Sequence, residues 1–393
     1  MTMKKILYII SFILVFSSCM KEPAFNAYNV ELTIPLNVEV TMASVLGATV
    51  KLNNLEKNYS VESTVNDQGK VVFSMIEPGF YSATMSHQYE DGLNESYLNG
   101  NAEVPVFSSV EESLPIILSS SNPFIIKEFY FAGSKTPAGK AYSYDQYVEI
   151  YNNSAEVQYA DGLSIVEHES TGTKTNSWLY LPDDIVVKFI WTIPGNGTDN
   201  PVQPGESIVL AGNAFDHKSD PFGNPNSPVD MGNADFEFWV DHTSGRDIDN
   251  HSVTNMIEEL YTYRGTDVRF GTSGTSAIAL VRISNDAAER MEYINSNLTR
   301  KPNTTSTRLF CIINIDMVVD AMEVVKDEAR SAYKRFPVEL DAGYTYNPAG
   351  SKTGKCLRRK VKYVVNGRTV YQDTNNSTED FLKDVDPKPW IYE

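Results

Sequence analysis

The stretch Asp145–Val166, DQYVEIYNNSAEVQYADGLSIV, decides the fold class. Tyr147, Glu149 and Tyr151 alternate with Val148 and Ile150, the period of two expected of a half-buried strand. Asn152, Asn153 and Ser154 form a turn cluster whose side chains can bond their own backbone. Asp161-Gly162 offers a second tight turn before the apolar Leu163, Ile165 and Val166. Strand, polar turn and return strand are the units of a β-sandwich core, and none of them needs a ligand.

Working outward, Ile125-Ile126-Lys127-Glu128-Phe129, Tyr147-Val148-Glu149-Ile150-Tyr151-Asn152 and Asp161-Gly162-Leu163-Ser164-Ile165 in that order resemble the opening strands of a lamin tail domain. Gln203-Pro204-Gly205-Glu206 before Ser207-Ile208-Val209-Leu210-Ala211 resembles that family's Pro-Gly strand entry. Gly354-Lys355-Cys356-Leu357-Arg358-Arg359, then Asp373-Thr374-Asn375-Asn376-Ser377 with Asp380-Phe381, resemble its closing segments, with Cys356 where the pattern usually has Ser. The resemblance implies an immunoglobulin-like sandwich over residues 122–393, with long insertions near 167–203 and 213–275 and short helices.

Residues 27–121 read as a separate β-unit. Gly47-Ala48-Thr49-Val50-Lys51-Leu52, then Asp67-Gln68-Gly69-Lys70 before Val71-Val72-Phe73, then Ile76-Glu77-Pro78-Gly79-Phe80-Tyr81 resemble a carboxypeptidase regulatory-like, or transthyretin-like, domain. That resemblance implies a seven-stranded sandwich acting as spacer or docking module, without catalysis. Ser119-Ser120-Ser121-Asn122-Pro123 marks the boundary, because small polar residues and Pro disfavour continued structure. The fold class expected is therefore mainly β, two sandwiches in series.

The chain begins with Lys4-Lys5, an apolar run from Ile6 to Phe16, and Ser17-Ser18-Cys19. This is the form of a lipoprotein signal over residues 1–18, too short for a permanent span, which needs about 20 apolar residues. Cys19 is the expected lipid attachment site and residues 19–26 the tether, although Phe16 and Ser18 depart from the commonest lipobox. The alternative is an ordinary cleaved signal with an incidental cysteine. The lipid reading anchors the protein at the outer membrane, on the periplasmic or the cell-surface face. With Cys19 used, export to an oxidising compartment permits a disulfide between Cys311 and Cys356, while Cys311 in its apolar run fits equally well as a buried small hydrophobe.

A formal net charge of -18 argues against nucleic acid as a partner, and 41% hydrophobic residues provide for packed cores. The two insertions hold Trp178, Trp191 and Trp239, candidate ligand-contact aromatics if exposed and loop anchors if buried. Asp241, His242, Asp247, Asp249 and His251 carry metal-ligand types but lack the Gly and terminal Glu of a calcium loop, so a solvated loop is the plainer reading. Asp286 to Met291 reads as a short capped helix. Residues 315–325 fit helix or strand, with the strand preferred through Val318–Val325 and a helical turn from Asp327 to Tyr333. Asp316 and Asp320 read as edge or solvated carboxylates, and Arg358, Arg359, Lys360 and Lys362 as the wet face of a strand.

No nucleophile elbow, zinc-protease helix or phosphate-cradling loop is present in the sequence, so no enzyme and no cofactor is expected. The whole layout resembles uncharacterised lipoproteins of Bacteroidetes. That resemblance implies a non-catalytic envelope protein that binds a ligand or protein partner, as an accessory to a TonB-dependent outer-membrane receptor in nutrient capture. The alternatives are a structural or adhesion scaffold and, behind it, a metal-dependent hydrolase built on the Asp241–His251 cluster.

Overall fold

The computed structural model describes residues 26–57, 59–91, 94–120, 122–219 and 223–392. The signal segment, Cys19 and nearly all of the tether lie outside the described residues. The protein is mainly β, and its strands form several sheets around separate cores. None of the described helices is long and apolar enough to cross a membrane.

In the first sandwich, Tyr28–Thr33 lies between Lys70–Ile76, to which it is antiparallel, and Val110–Ser113, to which it is parallel. Facing this sheet is a five-stranded antiparallel one in the order Ser60–Thr64, Thr49–Asn54, Gly79–Asp91, Asn94–Val106, Ile116–Ser120. Alternation does the sorting: Val50 and Leu52 point inward from one sheet and Val30 and Leu32 from the other, while intervening positions stay partly wet.

Two seven-stranded sheets build the second sandwich. One runs Thr254–Asn255, Phe236–Glu237, Ser207–Ala211, Tyr147–Asn152, Phe124–Tyr130, Cys356–Arg359, Phe381–Val385. The other runs Leu298–Arg300, Leu309–Asn314, Asp184–Thr192, Ser164–His168, Ile278–Val281, Val318–Met322, and Ile257–Tyr261 also pairs with Asp184–Thr192. Between them Phe129, Val148, Ile150, Ile165, Trp191, Leu280 and Leu357 form the main core.

Both sheets are also covered on their outer faces. Helix Ala287–Ser296, capped by the Asp286 carboxylate at the N–H groups of Ala288 and Glu289, adds Ile294 to the outer cluster of the second sheet. Ala214, Val229, Met231 and Ala234, from the segments 213–219 and 223–235, cover the first. The strand Tyr147–Asn152 is therefore buried at every position, where alternation predicts one wet face. Double coverage likewise explains the strand Asp184–Thr192. It lies inside the region read as the 167–203 insertion, and it is central rather than peripheral. A strand buried on both faces shows no alternation to read.

The Asp161-Gly162 turn forms as the sequence indicates. Gly162 has φ 69°, and a Cβ there would lie 2.9 Å from Asn285 and the Ser284 carbonyl, so only glycine fits. Residues 315–325 divide into a 3₁₀ turn, Ile315–Met317, and the strand Val318–Met322; a second 3₁₀ stretch spans Glu328–Tyr333.

Three expectations are corrected. Cys311 and Cys356 are free and buried on the outer faces of opposite sheets. Packed sheets stand ~10 Å apart, beyond the ~7 Å Cα separation a disulfide can bridge. Arg358 and Arg359 are buried rather than wet: Arg359 binds Asp320 at 2.7 Å, Asp373 at 3.0 Å and Asp380 at 3.2 Å. Asp320 is accordingly interior, and also accepts the Ile126 N–H at 2.6 Å. The charges are hidden because neighbouring carboxylates compensate them, something that composition along one strand does not display.

Candidate functional site

The strand Ser164–His168 ends in Glu167 and His168 and is followed by Glu169, and these three polar residues feed two different concavities in turn. Glu167 and Glu169 line a polar cleft of about 570 Å³. His168 lines a cleft of about 380 Å³ on the other side, where the first sandwich meets the second. The segment 169–182 separates the two clefts.

Trp178 anchors that segment. Its indole N–H donates to Glu169 Oε2 at 3.0 Å, and its ring stands edge-on to Phe310 with centroids 6.2 Å apart. Lys301 reaches the same carboxylate with Nζ at 2.7 and 2.9 Å from its two oxygens. Glu167 is paired with Lys188 at 2.6 Å.

Around these pairs the polar cleft gathers Lys174, Arg269, Tyr261, Tyr263 and Phe189. Tyr263 is 46% exposed, and the Arg308 guanidinium lies 5.0 Å from its ring centre. Tyr261 donates its hydroxyl to the Asp267 carbonyl at 3.1 Å, and burial pushes its phenol up to about 12, so it remains an O–H donor at neutral pH. Four cations against two carboxylates make the lining electropositive on a protein of net charge -18, even after Asp267 pairs with Arg269.

The tryptophans named from the sequence do not supply this surface. Trp178 and Trp191 are buried, at 2% and 0% exposure; Trp191 is packed edge-on to Phe238 with centroids 5.7 Å apart, and its indole nitrogen has no partner among the described residues. Trp239 is half-buried and lies outside both clefts. Aromatics in long loops serve here as anchors, because a loop must bury something to hold its shape. The rings on offer are tyrosines. Their sequence signal is the pair Tyr261 and Tyr263 where the strand Ile257–Tyr261 gives way to a turn, and both line the polar cleft.

The Asp241–His251 cluster is spread out rather than convergent. Asp247 accepts the Val240 N–H at 2.8 Å, and burial pushes its carboxyl up to about 7. Asp249 pairs with His251 at 2.9 Å and accepts from Asn255 at 3.1 Å, while His242 binds Ser244. Asp241 offers its carbonyl to Arg264 at 3.1 Å. Among the described residues, no three His, Cys, Asp or Glu side chains are grouped so as to hold a metal. These carboxylates shape a loop.

Carboxyls pushed upward by burial also occur away from the clefts, at Glu128, Asp145 and Glu237. Each is hydrogen-bonded into packing: Asp145 Oδ2 accepts from Tyr130, Ser134 and Ser227, and Glu237 from the N–H groups of Ala214 and Asn250.

Residues 203–388 match the model of a family described as "Protein of unknown function (DUF4876)". The crystal structure of a DUF4876 family protein from Bacteroides thetaiotaomicron is similar over 92% of this chain and 96% of that one, with 29% identity and a TM-score of 0.62. A DUF3823 family protein from Parabacteroides merdae aligns over 44% of this chain and 94% of its own, at 9% identity and a TM-score of 0.18, too low to argue from. No curated protein matches. The model match and the whole-length likeness point the same way: the chain is similar to DUF4876 proteins, over residues 203–388 by the family model and over most of its length by the Bacteroides structure.

Proposed function

We propose that the protein is a non-catalytic binding protein of the bacterial cell envelope, held there by a lipid on Cys19, and that the polar cleft captures a sugar bearing acidic groups. The observation that carries this reading is the convergence of Tyr261 and Tyr263 with Lys174, Lys188, Arg269 and Lys301 in one cleft of an acidic protein. A pyranose presents a C–H face that packs on an aromatic ring and a rim of hydroxyls that need donors and acceptors; a carboxylate on that ring needs a cation. Catalysis is not part of the proposal. Glu167 and Glu169, the carboxylates in the cleft, are each tied to a lysine and suited to positioning those cations. A place beside a TonB-dependent outer-membrane receptor belongs to the same reading.

Calorimetric titration with oligogalacturonate, and with neutral cello-oligosaccharides as control, tests it. The acidic sugar should bind, and Tyr263→Ala and Lys301→Met should each weaken it about tenfold, the effect of losing one charge-assisted or stacking contact. Binding of neither sugar, or variants that bind like the parent, would sink the proposal. Palmitate labelling that depends on Cys19, with protease shaving of intact cells, tests the location.

A second reading, an envelope scaffold, is favoured by one observation. The hairpin Val361–Val365 and Arg368–Tyr371 leaves Val361, Tyr363, Val364 and Val365 exposed in a row. Under that reading, Val364→Lys should release a co-purifying envelope protein while leaving sugar binding unchanged.

A further inference from the structure

The smaller cleft, between the two sandwiches, has a chemistry unlike that of the polar one. Its first wall comes from the N-terminal sandwich, with Leu55 and Ala102; its second comes from the C-terminal sandwich, with Trp178, Leu181, Phe336 and Val338. At about 380 Å³ it falls at the low end of the range for small-molecule sites, roughly 300–1000 Å³. Hydrogen bonds across the boundary hold the walls together: the Asn101 amide donates to the Ala342 carbonyl at 2.9 Å, and the Asn99 amide to the Thr374 carbonyl.

One polar group in this setting lacks a partner. His168 is 2% exposed, and its Nδ1 accepts the Ser170 N–H at 3.0 Å. An acceptor nitrogen carries no proton, so in the neutral ring the proton sits on Nε2. Nε2–H has no hydrogen-bond partner among the described residues, although the ring lines the cleft, edge-on to Phe336 with centroids 6.0 Å apart. Burial, with the Arg335 guanidinium nearby, holds the imidazole well below its usual range and hence neutral. Arg335 itself is fully engaged, with Glu323 and the carbonyls of Ser170, Thr275 and Val324. Its charge nevertheless makes the surroundings of Nε2–H favourable to a negative acceptor. Nε2–H is open to the cleft rather than sealed in the interior, so an incoming anionic acceptor replaces water there with a charge-assisted hydrogen bond, stronger than a neutral one.

We infer that this inter-sandwich cleft is a second binding site, for a small aromatic or branched apolar molecule bearing one carboxylate-like group, with His168 Nε2–H as the polar anchor and Phe336 and Val338 as the apolar bed. The inference is independent of sugar capture, since the two clefts lie on opposite sides of the 169–182 segment and only Thr175 lines both.

The test uses the full chain and two probes, the fluorescent anion 1-anilinonaphthalene-8-sulfonate and its displacement by 3-phenylpropionate. One saturable site is expected, displaced by the acid and not by 3-phenylpropanol. Ala102→Trp and Val338→Trp fill the cleft from opposite walls, and each should abolish that site. His168→Phe keeps the ring but removes the donor, and should weaken phenylpropionate about tenfold; His168→Gln, which retains an N–H, should restore most of the loss. The proposal is overturned by no saturable site in the parent, by a site that survives both tryptophan variants, or by equal displacement from parent and His168→Phe. If the His168 variants do not fold, the two tryptophan variants decide, since they leave the anchor in place.

Discussion

Lys127 and Glu149 stand on adjacent strands with Nζ 2.8 and 2.9 Å from the two carboxylate oxygens, and neither side chain is exposed. A register shift at Glu149/Ile150 lets Lys127 and Glu128 depart from strict alternation. The pair is covered by the C-terminal segment. Trp390 donates its N–H to Glu149 at 3.0 Å, Lys388 donates its own to Glu128 at 2.9 Å, and the Lys127 ammonium lies 5.2 Å from the Tyr392 ring centre. Lys127→Met leaves Glu149 charged and buried, and should destabilise the second sandwich by about 3–5 kcal/mol. The double variant with Glu149→Leu should recover at least half of that, because the uncompensated charge goes too. Urea denaturation of the two variants and the parent checks this; a double variant no better than the single would show that packing, not charge, dominates.

Asp247 gives stability a pH dependence of known sign. Burial raises its carboxyl from 3.8 to about 7, so between those values the folded state holds a proton that the unfolded state has released. More protons bound in the fold means that stability falls as pH rises through this window. Asp247→Asn can keep accepting the Val240 N–H while removing the titration. The parent should lose stability relative to the variant by about 1–2 kcal/mol between about pH 5 and pH 7.5, after discounting for partial solvent contact. Denaturation midpoints at both pH values measure it, and parallel slopes would remove Asp247 as the cause.

What the sequence displayed and what it hid follow from separation along the chain. The Tyr147–Asn152 strand and the Gly162 turn are local, carried by alternation and by one glycine, and both are legible. Asp184–Thr192 is equally local but buried on both faces, so its pattern is an apolar run from Ile185 to Trp191 interrupted by Lys188, inside a polar composition. The polar cleft has no local signature: Lys301 meets Glu169 across 132 residues, and Arg269 and Tyr263 arrive from a third segment. The tryptophans drew notice because they were rare, whereas exposure belongs to Tyr263, just past a strand end.

Cys311 and Cys356 should behave as two inert thiols. Burial pushes Cys311 up to about 12 and Cys356 well above its usual value, so neither offers a thiolate at neutral pH. In protein that starts after Cys19, Ellman's reagent should find no reactive thiol in the native state and both of them in guanidinium. Reducing agent should leave the unfolding midpoint unchanged. A thiol count of zero in guanidinium would mean that the pair is oxidised and that the separation of the two sheets is wrong.

Trp178 is the residue on which both clefts depend. Its indole N–H fixes Glu169 Oε2, the carboxylate that also holds Lys301 over the polar cleft, while its ring forms part of the apolar wall on the other side. Trp178→Phe keeps most of the buried area but removes the donor, leaving a buried carboxylate with one fewer partner, at a cost of about 1–3 kcal/mol. The 169–182 segment should then open more readily, because it loses one of the few ties that hold it and its backbone crosses the surface between two concavities. Proteolytic cleavage within that segment should accelerate at least tenfold in the variant, and binding at both clefts should weaken together. Loss at one cleft alone would mean that the segment is held by the Glu169–Lys301 pair rather than by the tryptophan.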